Sequence, residues 1–236
     1  MNTIAGLKMG EIDVGQTLED LLMQWLDKKM FLCGRKRTVL FEMGCGCLGS
    51  TGLLYKLNKA LIKKQEYLME EDGECILEAE AGRNTLTYHK EKMEFTGLEL
   101  REIIAGMIDI LEEVLPLGTM VDLKKRYLQK HIPASDIENI KIVITQRFLY
   151  HENDRTYFPY AGSIYPVGML DKNEIIHFTP AMIETVVHRG YSDRQDRAYA
   201  YRMKQELILE KGMHSYGFST EEERDKLRSR IEGGRG

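Results

Sequence analysis

Four β-prone segments follow one another in the second half of this chain: Thr119 to Leu123, Ile140 to Phe148, Tyr157 to Tyr165 and Glu174 to Phe178. No helical period separates them. A doubly wound parallel sheet needs helices alternating with strands, because each crossover must lie on a face of the sheet. A succession of strands instead predicts antiparallel neighbours, and with the helical patterns that precede it, an α+β fold. The expected architecture is an N-terminal helical part with a small sheet, joined to a C-terminal antiparallel sheet or partial barrel with flanking helices. Pro116 marks the division, since it ends the helix before it and biases Leu115 toward extended backbone. Three regions follow from this reading: 1–114, 115–212, and a polar helix with a flexible tail over 213–236.

The first region opens with Gly15 and Thr17 as helix starters. Leu18, Leu21, Leu22, Trp25 and Leu26 then fall on one helical stripe, which places the only tryptophan in a core. Thr38 to Met43 reads as a short strand, Gly44 to Gly52 as a glycine-rich turn, and Leu53 to Ile62 as a helix. Cys75–Glu80 and Thr85–His89 flank Ala81-Gly82-Arg83-Asn84 in the manner of a hairpin with a longer loop. Thr96 and Glu99 form a capping-box pair ahead of Leu100, Ile103, Ile104, Met107, Ile108 and Leu111. Further on, Thr179-Pro180 predicts a helix start. Ser192 with Gln195 and Ser219 with Glu222 predict two more capping boxes.

Bulk properties narrow the function. A formal charge of −4 and a pI near 5.9 leave no basic excess to neutralise a phosphate backbone, so nucleic acid is not an expected partner. No apolar run approaches the ~20 residues of a membrane span. Without a secretory signal, Cys33, Cys45, Cys47 and Cys75 read as reduced thiols of a cytoplasmic protein.

Val39 to Gly49 holds the most enzyme-like wording. A strand followed by Gly44-x-Gly46-x-x-Gly49 and a helix is the context in which glycines let a backbone approach a nucleotide. The same stretch resembles the first motif of S-adenosylmethionine-dependent methyltransferases, with Glu78 and Glu80 as candidates for the ribose. A tight strand-to-helix turn needs the same glycines, and the strand order downstream is wrong for that fold. No cofactor is therefore expected. No GK[ST] follows for a phosphate loop, and no G-x-S-x-G supplies a hydrolase nucleophile. The cysteines lack C-x-x-C spacing, and the six histidines, His177 among them, lack metal-ligand spacing, so no metal is expected either.

Aromatic residues crowd into the strand-rich region. Tyr157, Phe158, Tyr160 and Tyr165 are the candidate partner-binding residues, because tyrosine supplies large contact area at low entropy cost. Tyr157 and Phe158 are adjacent, so a regular strand turns them to opposite faces.

The order Leu115-Pro116-Leu117-Gly118, then Tyr165-Pro166-Val167-Gly168, then Gly190-Tyr191 before a charged helix resembles a small family. Its members are domains of unknown function encoded beside LXG-type toxin genes in type VII secretion loci of Gram-positive bacteria, and the resemblance spans roughly residues 115–209. It implies an accessory protein and not an enzyme, one that binds a secreted toxin or its small helical export partners as a chaperone or targeting factor. The chain itself does not read as a secreted substrate. Trp25-Leu26-Asp27 lacks the W-x-G turn, although Tyr67 and Glu71 fit the Y-x-x-x-[DE] signal. Alternatives are an immunity protein against a neighbouring toxin and a methyltransferase-like enzyme using the Gly44–Gly49 loop.

Overall fold

The computed structural model describes residues 17–64, 67–69, 75–80, 82–128, 140–168 and 175–226. The chain is α+β and divides into two compact units. One holds 17–113 and 204–211 of the described residues, the other 114–203 and 212–226. Glu71, His131 and the tail from Ile231 lie outside the described residues.

The helix-rich unit begins with α1 (Leu18–Asp27), α2 (Arg35–Gly46) and α3 (Gly52–Lys63). Thr17 caps α1 in a capping box with Asp20, and Leu21, Leu22, Trp25 and Leu26 are buried. Next come β1 (Tyr67–Met69), β2 (Cys75–Glu80), β3 (Arg83–Tyr88) and β4 (Glu91–Phe95), an antiparallel meander in sequence order. β2 and β3 pair as the expected hairpin, with the ladder reaching Glu80 opposite Arg83, so Arg83 and Asn84 belong to β3 and not to a loop. The expected Thr96–Glu99 capping box opens α4 (Gly97–Leu111), whose apolar face is buried throughout.

The strand expected over Thr38–Met43 is helix. Val39, Leu40, Met43, Gly44 and Cys47 are the buried positions, spaced i, i+1, i+4, i+5 and i+8, so burial follows a period of 3.6 despite local β propensity. Gly44 serves close packing between helices. A Cβ there would sit 2.3 Å from Leu22 Cδ2 and 3.0 Å from Met107 Cε. The strand–glycine–helix context of a nucleotide loop is therefore absent from residues 39–49.

The sheet unit contains β5 (Met120–Leu123), the short helix α5 (Lys125–Leu128), β6 (Lys141–Tyr150), β7 (Thr156–Tyr165) and β8 (Ile176–Phe178). These are followed by β9 (Ile183–His188), α6 (Arg194–Lys204) and β10 (His214–Ser215). The strand order is β10-β7-β6-β5-β9, with β8 also on β7. All pairs are antiparallel except β10–β7. Its core gathers Leu115, Val121, Leu123, Ile142, Ile144, Tyr160 and Phe178.

Three local expectations shift. Thr179-Pro180 starts a single 3-10 turn (Pro180–Met182), after which the β-branched run Ile183 to Val187 becomes β9. Asp193, not Ser192, caps α6, its Oδ1 accepting from Asp196 N at 2.9 Å. Thr220 and Glu223, not Ser219 and Glu222, make the last capping box, ahead of helical residues 221–226.

Candidate functional site

The aromatic segment of the sheet unit is positioned by the β6–β7 ladder, which sets Tyr150 opposite Tyr157, Leu149 opposite Phe158, Arg147 opposite Tyr160 and Lys141 opposite Tyr165. The four candidate residues meet different fates. Tyr157 is 3% exposed and lies 6.2 Å, ring to ring, from Phe148, which is 6.3 Å from Tyr199 on α6. Tyr160 is 1% exposed, 5.5 Å from Phe178, and its Oη accepts a 2.8 Å hydrogen bond from Leu115 N. These two are core and are withdrawn as partner-binding residues. The strand is covered on both faces here, so simple alternation between core and solvent fails.

Phe158 is half-buried, stacked on Tyr216 at 4.4 Å and near His177 at 5.1 Å. Its surface is thus largely occupied by its own chain. Tyr165 is 51% exposed, with Val167 exposed beyond Pro166. The turn that displays them is closed by Gly168 N donating to Ile164 O at 2.7 Å, with Gly168 at φ +77°. Of the four, Tyr165 remains available to a partner.

The structure also joins the first and last elements of the motif order. Gly190 packs so tightly on the Leu117–Thr119 turn that a Cβ would lie 2.1 Å from Leu117 O and 2.9 Å from Thr119 N. Its N–H donates to Thr119 Oγ1 at 3.1 Å, while Thr119 Oγ1 donates to Pro116 O at 2.7 Å. The contact brings the exposed Leu117 together with Tyr191, which is 82% exposed. A glycine required by close backbone approach, next to a displayed tyrosine, was the available sequence signal for this second apolar patch.

Arg147 was not visible from sequence as a buried group. Its Nη2 pairs with Asp196 Oδ1 at 2.6 Å on the first turn of α6, and its guanidinium lies over Tyr199 at 5.4 Å. Nε and Nη1 are buried without an acceptor among the described residues. The next residue, Phe148, takes φ +55°, which costs about 1–2 kcal/mol for a side chain with a Cβ. That conformation lets consecutive residues of β6 both turn inward, against the usual alternation. The result is a charge anchoring α6 to the sheet.

A second buried cluster lies in the helix-rich unit. Lys204 is buried and donates to Ile110 O at 2.6 Å and Glu112 O at 2.5 Å, carbonyls at the end of α4 that lack intrahelical partners. Burial pulls its ammonium down to about 8, against the opposing pull of Asp109, Glu112 and Glu113. Burial raises Glu112, whose carboxylate accepts from Thr51 Oγ1. Held on these two carbonyls, the ammonium caps the C-terminal end of α4. The thiols of Cys47 and Cys75 are likewise buried, pushed up to about 11 and about 12, which makes them poor nucleophiles. Among the described residues no group of three His, Cys, Asp or Glu is placed to hold a metal ion, and no helix is long and apolar enough to cross a membrane.

Residues 114–199, just over a third of the chain, match a family described as "Domain of unknown function (DUF4176)". The match begins one residue before Leu115 and takes in both exposed patches. No curated protein and no solved structure matches the chain.

Proposed function

We propose that this protein is a non-enzymatic accessory, a chaperone or targeting factor, that binds an LXG-type toxin or its small helical export partners before type VII secretion. The observation that carries the reading is the display of Tyr165 and Val167 on a turn closed by a backbone hydrogen bond, inside the motif order that resembles that family. An exposed aromatic beside a β-branched residue, held by a closed turn, loses little entropy on binding and suits an interface anchor. The glycine stretch gives the methyltransferase alternative no such support, because the strand that it needs is a helix.

Deleting the gene in a strain that carries the locus tests the reading. Export of the neighbouring toxin should stop while the producing cell stays unharmed. Continued export with poisoning of the producer would identify an immunity protein instead. In capture assays with the purified toxin, Tyr165→Ala combined with Val167→Ala should weaken the complex by roughly 30-fold or more, an anchor's loss of about 2 kcal/mol. Unchanged affinity in the folded double variant would remove this turn from the interface.

A further inference from the structure

We infer that the outer face of α3 is a docking surface for an anionic lipid membrane, on which the protein lies peripherally and reversibly. Lys56, Lys59 and Lys63 follow at i, i+3 and i+7, so they share one face of the helix, and Lys64 is its C-cap. On the opposite face Leu54, Leu57, Ala60 and Leu61 are buried, which turns the lysine face outward. All four lysines are exposed, and none has a hydrogen bond or an ion pair among the described residues. No carboxylate occurs in the sequence between Glu42 and Glu66, although the chain carries 37 acidic residues. Elsewhere in the helix-rich unit exposed cations are matched: Arg35 pairs with Glu91, Arg37 with Asp27, Arg83 with Glu94 and Lys92 with Glu78. A cation in the last turn complements the helix dipole, which accounts for Lys63 but not for Lys56 and Lys59.

The residue types select the occupant. Lysine is depleted in protein interfaces, where arginine and aromatic side chains supply the anchors. Nucleic-acid recognition likewise draws on arginine forks and stacked aromatics. This face has no arginine, and Tyr55 beside it is half-buried and hydrogen-bonded to Glu112. A membrane surface needs neither. Its charge is diffuse, and point cations on flexible stems answer it without a fixed geometry. Ile62, next to Lys63, is 60% exposed and can enter the boundary between headgroups and acyl chains. Each lysine held near such a surface adds about fivefold in affinity. The three on the face span roughly 10 Å of helix axis, close to one Debye length, so they act on the surface together. The chain as a whole carries −4, so attraction depends on this face turning toward the lipid while salt screens the rest.

Cosedimentation of the full chain with vesicles of phosphatidylserine and phosphatidylcholine in a one-to-two ratio tests this at low salt, with pure phosphatidylcholine vesicles as the control. The chain should pellet with the mixed vesicles alone and be released as salt is raised. Lys56→Gln, Lys59→Gln and Lys63→Gln combined should weaken partitioning by about a hundredfold. The circular dichroism spectrum should not change, since glutamine matches lysine in helix propensity. Ile62→Ser should weaken partitioning several-fold and leave its salt dependence as it was. A chain that ignores the mixed vesicles at low salt overturns the proposal, as does a triple variant that binds them undiminished. Retention on duplex or single-stranded DNA tighter than on the mixed vesicles at matched salt overturns it in favour of nucleic acid. Binding that appears only when Glu70, Glu71 and Asp72 are neutralised to Gln, Gln and Asn overturns it too, by making that acidic run the occupant of the face.

Discussion

The two units handle buried charge differently. In the helix-rich unit, Lys204 satisfies its ammonium on two carbonyls at the end of α4, with Asp109, Glu112 and Glu113 in its field. In the sheet unit, Arg147 is as deeply placed but has one carboxylate and two donors left over. The same contrast holds at the edges. On the meander, Lys36 and Arg35 of α2 reach Glu94 O and Glu91 on β4, whereas β9 of the sheet unit is paired with β5 alone among the described residues. Satisfied interiors belong to a scaffold. Arg147, with its two unpartnered donors, lies in the segment that matches the domain family.

The largest test of that contrast removes a central group from each unit. Trp25→Ala should cost the helix-rich unit about 3–5 kcal/mol, because Trp25 fills the space left open by Gly106. A Cβ on Gly106 would lie 2.0 Å from the Trp25 ring. In the sheet unit, Asp196→Ala should cost a similar ~3–5 kcal/mol by stranding the Arg147 guanidinium. Arg147→Met should be near neutral, or stabilising by about 1–4 kcal/mol, since it also removes the two orphaned donors. Urea unfolding followed by circular dichroism measures all three. Equal losses from Asp196→Ala and Arg147→Met would mean that the pair is a net stabiliser and the contrast with Lys204 is false.

The pH response sharpens the comparison at Lys204. Held at about 8, below its ordinary value, this amine binds its proton less tightly in the folded chain than in the unfolded one. Between about pH 8 and 10.5 the unfolded chain therefore holds more protons, and the group's contribution to stability rises with pH, by up to about 3 kcal/mol. Cys47 and Cys75 act in the opposite sense. Raised to about 11 and about 12, they contribute stability that is present below their ordinary range and lost as pH climbs through those values. Lys204→Met should abolish the rise and leave the fall. A variant whose alkaline profile matches the unaltered protein's would show that Lys204 is not the group responsible.

Legibility from sequence follows how local each feature is. α1 and α4 were readable because apolar stripe and N-terminal cap lie within one element, and α3 because its stripe does. α2 was not, since Thr38-Val39-Leu40-Phe41 favours strand locally and becomes helix through contacts with α1 and α4. Two caps moved by one residue because Asp193 and Thr220 satisfy the same three-residue spacing as their neighbours. Arg147 lies within the β-prone run Ile140–Phe148, and its partner Asp196 lies 49 residues away. Nothing short-range announces such a pair. The burial of Tyr157 and Tyr160 was hidden for the same reason, since they meet Phe148 of β6 and Phe178 of β8, and Leu115 N–H donates to Tyr160.

Tyr160→Phe should cost about 1–3 kcal/mol, the penalty for leaving the buried Leu115 N–H without its acceptor while the ring still packs on Phe178. A loss below half a kcal/mol, roughly, would mean that another acceptor or water takes over.

The smallest expected change in stability is at Tyr165. A half-exposed ring on a turn closed by backbone alone contributes little to the core, so Tyr165→Ala should leave the urea midpoint within about 0.5 kcal/mol of the unaltered protein. The same substitution should weaken the toxin complex, because an anchor's contact area is realised only when a partner covers it. Tyr160→Phe should do the reverse, lowering stability while leaving affinity unchanged in the folded protein. The two tyrosines stand five residues apart on one strand and differ only in what faces them. Opposite results separate the scaffold from the surface within a single element. If Tyr165→Ala destabilises as much as Tyr160→Phe, the turn is part of the core and the binding surface passes to Leu117 and Tyr191.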